Sequence, residues 1–310
     1  MPVLPRLRPE MSDLSEGLVP PGNGAKVPGG GARAEVLDLG GRRLDISTRA
    51  LVMGIINRTP DSFYDHGVTW EWGAFWRRAA EIVEEGADII DVGAVKAGVG
   101  PEVGEAEEMD RLLPAVEGLV DRFDVAVSVD TWRAPVAAEA FRLGAVLGND
   151  ISGFADPGYL PAAAAAGASV VATHIRLAPR VLDPHPVYDD VVGEVYTYLR
   201  HRAARAEAAG IPRERIVIDP GLDLGKDTDQ SLALLGTSET FAGLGYPLLL
   251  AASNKDFLCG LLGLGINERR EATLAAQALG VTLGCRVLRT HFVEATRRVR
   301  DMIAAVLEAA

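Results

Sequence analysis

The chain has 310 residues, 48% of them apolar, and a formal net charge of −12. That composition supports a large buried core in one or two domains, and an acidic balance without a Lys/Arg run argues against nucleic-acid or anionic-membrane partners. No apolar run is long enough to cross a bilayer, and the start of the chain lacks a secretory apolar segment, so a cytoplasmic protein is expected.

Residues 1–33 carry Pro2, Pro5, Pro9, Pro20, Pro21 and Pro28 among six glycines, with no apolar periodicity. Such a stretch buries too little surface to offset its ordering entropy, and it is expected to be a flexible, disordered tail. The folded domain is then residues 34–310. It opens with Val36–Leu39, Gly40-Gly41 and Arg42–Ile46, which read as a hairpin with a two-residue glycine turn. Eight short apolar runs follow: Leu51–Ile56, Asp88–Val92, Val125–Val129, Ala145–Leu147, Ser169–Ala172, Ile216–Ile218, Pro247–Leu250 and Arg286–Leu288. Continuous rather than alternating apolar character suits strands buried on both faces. Helical patterns lie between them, among them Ala74–Glu85, Ala134–Leu143, Asp189–Ala209 and Asn267–Leu279. Eight βα units predict an α/β fold of the TIM (β/α)8 barrel type, with a doubly wound open sheet as the alternative. No Gly-x-Gly-x-x-Gly follows a strand, which weakens that alternative. Cys259 and Cys285 lack metal-ligand spacing and read as reduced core thiols.

In a barrel of this kind the chemistry collects at the carboxyl ends of the strands. Those exits are Asn57, Asp91, Asp130, Asn149, His174, Asp219, Lys255, and Arg289 with His291. Any single Asp or Asn there has an ordinary reading as a cap or turn former. A lysine, an arginine and two histidines in the same set do not. Asp130, Asn149, Asp219 and Lys255 suit a flat heterocycle that presents an amidine-like N–H edge and a carbonyl. Asn57, Arg289 and His291 are donors suited to an anion such as a phosphate or pyrophosphate. Arg289 and His291 are two residues apart and so share a strand face.

Asn57-Arg58-Thr59-Pro60-Asp61-Ser62-Phe63 resembles the opening signature of the dihydropteroate synthase family, which usually reads Asn-Val-Thr-Pro-Asp-Ser-Phe. Val127-Ser128-Val129-Asp130-Thr131, Gly148-Asn149-Asp150, Asp219 to Lys226, Ser253-Asn254-Lys255 and Arg289-Thr290-His291 resemble further motifs of that family in the same order. The resemblance implies that Asp130, Asn149, Asp219 and Lys255 bind a pterin. It implies that Asn57, Arg289 and His291 bind its pyrophosphate, with Asn57 as a ligand to Mg²⁺ and with Lys96 and Arg58 as further anion candidates. Catalytic roles fall to Asn57, Asp61, Lys255, Arg289 and His291. The reaction so implied displaces pyrophosphate from a pterin methylene by the amine of p-aminobenzoate, in a homodimer, with Asp61 and Phe63 on a loop that closes over the nucleophile.

The pattern breaks on one side. After Asp91-Val92-Gly93 the family continues Glu-Ser-Thr-Arg-Pro-Gly, whereas this chain has Ala97 and Gly98 in place of Thr and Arg. Removing a charge-assisted hydrogen bond at such a place costs about 10²-fold or more, and Lys96 cannot reproduce the planar fork of an arginine. Arg58, Thr173, Asp223, Leu224, Asn254 and Phe292 also depart from the family's usual residues. The first functional expectation is a transferase of this type acting on p-aminobenzoate or another amine. The second is a pterin- or folate-binding relative without that chemistry, and the third is a methyltetrahydrofolate-dependent methyltransferase.

Overall fold

The computed structural model describes residues 31–59 and 68–309. The expected tail up to residue 30, and the loop residues Asp61 and Phe63, lie outside those described residues. The hairpin is present, with β1 (Val36–Leu39) antiparallel to β2 (Arg42–Asp45). Its turn sets Gly40 at φ 61° and Gly41 at φ 91°. A two-residue hairpin turn of this hand needs left-handed backbone at both positions, which glycine adopts without steric cost.

Eight parallel strands close a barrel. They are β3 (Leu51–Asn57), β4 (Ile89–Gly93), β5 (Ala126–Asp130), β6 (Leu147–Asp150), β7 (Ser169–Thr173), β8 (Ile216–Asp219), β9 (Leu248–Leu250) and β10 (Cys285–Thr290). Val287 of β10 pairs with Leu51 of β3 and Thr290 with Gly54, so the sheet returns on itself and the open-sheet alternative is excluded. The helices are α1 (Trp72–Glu84), α2 (Glu105–Arg122), α3 (Ala134–Arg142), α4 (Tyr159–Ala166), α5 (Val191–Ala208), α6 (Thr228–Gly236), α7 (Ser238–Ala242), α8 (Asp256–Leu262), α9 (Arg270–Thr282) and α10 (Val293–Glu308).

Strand alternation divides the core into two layers. Leu51, Met53, Ile89, Leu147, Val171, Val217, Leu249 and Val287 point inward and fill the barrel floor, where Leu37, Leu39 and Ile46 from the hairpin region plug it. Their neighbours Val52, Ile90, Val127, Val170, Ile216 and Leu288 point outward onto the helices. There they meet stripes at helical spacing, such as Phe75, Ala79 and Ile82 of α1 or Leu112, Val116 and Leu119 of α2. Gly54 lets β3 approach these helices closely, since a Cβ there would lie 2.6 Å from Ile82 Cγ2 and 3.0 Å from Val293 Cγ2.

Strands β3, β4, β5, β7 and β8 each run one residue beyond the predicted apolar run. The parallel ladder continues through the polar exits: Asn57 pairs with Gly93, Gly93 with Asp130, and Thr173 with Asp219. Asn57, Asp91, Asp130, Asn149, Asp219 and Arg289 are therefore strand residues with fixed directions, whereas His174, Lys255 and His291 lie beyond the strand ends. The β6 strand sits later than its apolar run because Gly148 and Asn149, which dilute the apolar signal, are inside it.

Candidate active site

The inward set changes character within two to four residues toward the carboxyl end. Above Met53 stands Asn57, above Ile89 stands Asp91, above Leu147 stands Asn149, above Val217 stands Asp219, and above Val287 stand Arg289 and His291. Asp91 is the hub of the resulting network. It is fully buried, and its Oδ1 accepts from Ser128 Oγ at 2.6 Å. Its Oδ2 accepts from Asn149 Nδ2 at 3.0 Å and from Arg289 Nε at 2.7 Å. Arg289 reaches on to Asp130, with Nη2 2.8 Å from Oδ2. Four strands thus meet in one hydrogen-bonded group, held by a guanidinium that bridges two carboxylates.

Burial pushes the Asp130 carboxyl up to about 7, against the pull of Arg289 and with Asp91, Glu108 and Asp150 adding to the rise. Burial also raises Asp219, opposed by Lys255 and by a hydrogen bond from the Gly221 N–H at 2.8 Å. It lowers Lys255, against the opposing charges of Asp219 and Asp223. The Lys255 ammonium donates to the Leu222 carbonyl. Around one small lumen the barrel thus sets carboxylates, a carboxamide, an ammonium and a guanidinium on rigid strand ends and the loops beside them, where few water molecules compete for them.

At the mouth, the His291 N–H donates to Ser253 Oγ at 3.1 Å, and the same oxygen lies 3.0 Å from His291 Nδ1. The hydroxyl, with one proton and two lone pairs, thus meets both the backbone and the ring of His291 and fixes the ring's orientation at the mouth. Asn57 and His291 border a cleft of about 610 Å³ between α1 and the start of α10, lined also by Arg77, Arg78 and Arg270 and by Glu81, Glu85 and Glu294, with Arg78 paired to Glu81 and Glu85.

The structure thus brings Asp130, Asn149 and Arg289 into one network, sets Asp219 beside Lys255, and puts Asn57 and His291 on a shared cleft. Arg58 is elsewhere. Its guanidinium stacks 3.9 Å from the Trp72 ring centroid and donates to the carbonyls of Thr69 and Trp70. Lys96 is half-buried on the second loop, and Asp61 lies outside the described residues. His174, a strand exit in sequence, turns toward α5, with Tyr198 4.7 Å away edge-on, and burial holds it well below the usual histidine range. Sequence reasoning gave Asp91 no subsite and did not single out Ser128. The signal for Ser128 was its place two residues before Asp130, on the same face of β5.

The second loop carries neither of the family's Thr and Arg, and it is fastened from outside. Arg111 Nη1 reaches the Ala94 carbonyl at 3.4 Å, and the Arg180 N–H reaches that of Ala97 at 3.0 Å. Arg180 Nη2 meets the Gly100 carbonyl at 2.7 Å, and Arg133 Nη2 meets that of Val103 at 2.7 Å. Ala97 and Gly98 themselves are exposed.

Residues 53–291 match the sequence family described as pterin binding enzyme. A Mycobacterium leprae protein named inactive dihydropteroate synthase 2 is 44% identical over 264 residues, 83% of this chain and 91% of that protein. The dihydropteroate synthase of Escherichia coli is 37% identical over 270 residues, 87% of this chain and 95% of that protein. The Yersinia pestis dihydropteroate synthase solved in a sulfonamide drug complex superposes with a TM-score of 0.84 at 36% identity, covering 89% of this chain and 100% of that one. The Xanthomonas albilineans dihydropteroate synthase solved with 4-aminobenzoic acid gives a TM-score of 0.80 at 36% identity, over 88% and 98% of the two chains. Ordered motifs, matched sequence and superposed barrel agree: the chain belongs to the dihydropteroate synthase family of pterin-binding barrels.

Proposed function

We propose that this chain binds a reduced pterin in its lumen and does not join it to p-aminobenzoate. One contrast carries this reading: the network of Asp91, Asp130, Asn149 and Arg289 is complete, while the second loop offers only Ala97 and Gly98 where the family has Thr and Arg. Asp130, Asn149, Asp219 and Lys255 bind the ring edge, because carboxylates accept from an amidine-like N–H pair and an ammonium donates to a carbonyl. Asn57, Arg289, His291 and Lys96 take the anion end. The name of the M. leprae relative, an inactive synthase, supports the loss of turnover.

Mg²⁺ fits the anion end as an ion that arrives with phosphate. Among the described residues no group of three or more His, Cys, Asp or Glu could hold a metal. Magnesium that keeps much of its water and takes phosphate oxygens needs only one or two protein oxygens. Asn57 would be that protein ligand, and the bound ion would supply charge stabilisation to the pyrophosphate.

The working unit in this reading is the barrel over residues 34–310, with residues 1–33 as an appended tail, in a cytoplasmic homodimer. Leu279 of α9 with Met302 and Val306 of α10, exposed apolar side chains on adjacent helices, support a pairing face there. Calorimetric titration with a reduced pterin, paired with a pyrophosphate-release assay in Mg²⁺ and p-aminobenzoate, tests the proposal. Binding without release is the expected outcome, and release at an ordinary enzymatic rate or failure to bind any pterin refutes it. A second reading is a transferase that uses a different amine. The retained Asn57 and His291 on a common cleft favour it, and pyrophosphate release with some other amine is its signature.

A further inference from the structure

Arg58 stands where the family has a small apolar residue, and it belongs to a ladder that includes three of the four tryptophans in the chain. The Arg122 guanidinium lies 4.2 Å from the Trp76 ring centroid, and Trp76 stacks on Trp72 at 5.5 Å and 13°. Trp72 lies 3.9 Å from Arg58, Arg58 lies 4.9 Å from Trp70, and Trp70 lies 5.2 Å from Arg111. Cations alternating with aromatic faces attract through the ring quadrupole, most strongly where water is excluded. Arg58 is only 5% exposed.

The ladder ends on the backbone beside the anion end of the lumen. The Arg58 N–H donates to the Gly93 carbonyl at 2.7 Å, which joins the end of β3 to the start of the second loop. Arg58 Nη1 donates to the Thr69 carbonyl at 3.0 Å, and Thr69 Oγ1 donates to the Asn57 carbonyl at 2.6 Å. Arg111, the last rung, reaches the Ala94 carbonyl. Asn57 is the terminal residue of its strand, paired with Gly93. The main-chain bond from the Arg58 N–H is the last rung of the β3–β4 ladder, and beyond it the Thr69 hydroxyl holds the Asn57 carbonyl.

We propose that Arg58 is a positioning residue: through the tryptophan–arginine ladder and Thr69 it fixes Asn57 and the base of the second loop, and so sets the anion subsite without touching the ligand. This rests on the reading that Asn57 faces the pyrophosphate of a pterin ligand. Misplacing such a donor by about 1 Å costs up to 10²-fold, and residues that orient a ligating group typically matter by about 10- to 100-fold.

The test uses the full chain with Arg58→Val, which restores the family's residue type, Arg58→Lys, and Trp72→Leu at a partly exposed rung. Titration with a pterin pyrophosphate in Mg²⁺ is compared with titration of the same pterin lacking pyrophosphate. Arg58→Val and Trp72→Leu are expected to weaken the first by about 10-fold or more and to change the second by less than about 2-fold. Arg58→Lys, which keeps the charge but not the planar stack, is not expected to restore affinity. Amide hydrogen exchange on the unliganded proteins provides a second readout, with faster exchange expected at Arg58 and residues 69–72 and none at the barrel floor. Equal weakening of both ligands, no weakening, or unchanged exchange overturns the proposal. A wild-type chain that binds neither ligand overturns the functional reading instead, and hydrogen exchange then decides the ladder alone.

Discussion

Replacing Asp130 by Asn removes one titration from the lumen wall while keeping the side chain's shape. The folded carboxyl protonates at about 7, against an ordinary 3.8. The folded state therefore holds this proton more tightly than the unfolded state. Stability from this group is fully present below about 3.8 and is lost as pH rises through 7. The interval from 3.8 to 7, at about 1.36 kcal/mol per pH unit, sets a ceiling of roughly 4 kcal/mol. That value already includes the pull of Arg289 at 2.8 Å, and a scan from pH 8 to pH 5 covers about two of those units, so roughly 2–3 kcal/mol is expected. At about 2–4 °C of Tm per kcal/mol for a chain of this class, the wild type should gain on Asp130→Asn by about 5 °C or more between pH 8 and pH 5. Scanning calorimetry of both proteins across that range measures the gap. Asp150, pushed up to about 6, and Asp219, also raised, titrate in both proteins and largely cancel in the difference. The amide leaves Arg289 with Asp91 as its carboxylate partner, which moves the gap at every pH and not its slope. A gap that is constant from pH 8 to pH 5 refutes the reasoning.

Three further outcomes are expected. Lys255→Met takes the cation from beside Asp219 and Asp223; calorimetric titration should show pterin affinity down by about 10²-fold, and denaturant unfolding a loss of about 3–5 kcal/mol at pH 8 that shrinks in acid. Gly148→Ala sets a Cβ 2.5 Å from Tyr159 Oη and 2.9 Å from the Phe141 ring, both buried, so urea unfolding should register about 1–3 kcal/mol of destabilisation. The double change Ala97→Thr with Gly98→Arg should bring measurable pyrophosphate release with p-aminobenzoate. The backbone accepts it, since a Cβ at Gly98 would have Lys96 Cε at 3.6 Å as its nearest neighbour. No release from a graft that still binds the pterin pyrophosphate counts against the second loop as the seat of the defect.

The barrel was legible because its strands are buried on both faces: runs such as Leu51–Ile56 carry a signal that depends only on local composition. The same locality explains the errors at strand ends. Asp130 and Asp219 are polar and break an apolar pattern, yet their backbones stay in the ladder because the neighbouring strand supplies partners. The side chains of the lumen followed from alternation, so Arg289 and His291 did fall on one face. What alternation could not reveal was the pairing across strands. Asp91 as hub depends on the stagger that brings β4 beside β5 and β10 across the lumen, a property of the closed sheet. Arg58 was a loop substitution with an open role in the sequence, because Trp70, Trp72 and Trp76 become its neighbours only once α1 packs against β3.

Strands and loops divide the chemistry of this chain. The lumen holds Asp91, Asp130 and Asp219 against Arg289 and Lys255, so its carboxylates keep acceptor capacity beyond what the two cations fill. Buried acceptors of that kind favour a ligand that brings N–H donors, and an anion alone would worsen the balance. Asp91, Asp130, Asp219 and Arg289 stand on strand ends, and Lys255 at the N-cap of α8, all away from the second loop. The loops have taken another course. Arg111, Arg133 and Arg180 bind backbone carbonyls of the second loop, and Arg58 binds those at the base of the first. Each guanidinium that fixes a loop is committed to a carbonyl and is not presented to phosphate or to an incoming acid. In the proposed reading the ring edge is held in the lumen, whereas the substituted pair lies on the second loop, so turnover is lost there while the lumen keeps its demand for a donor-rich heterocycle.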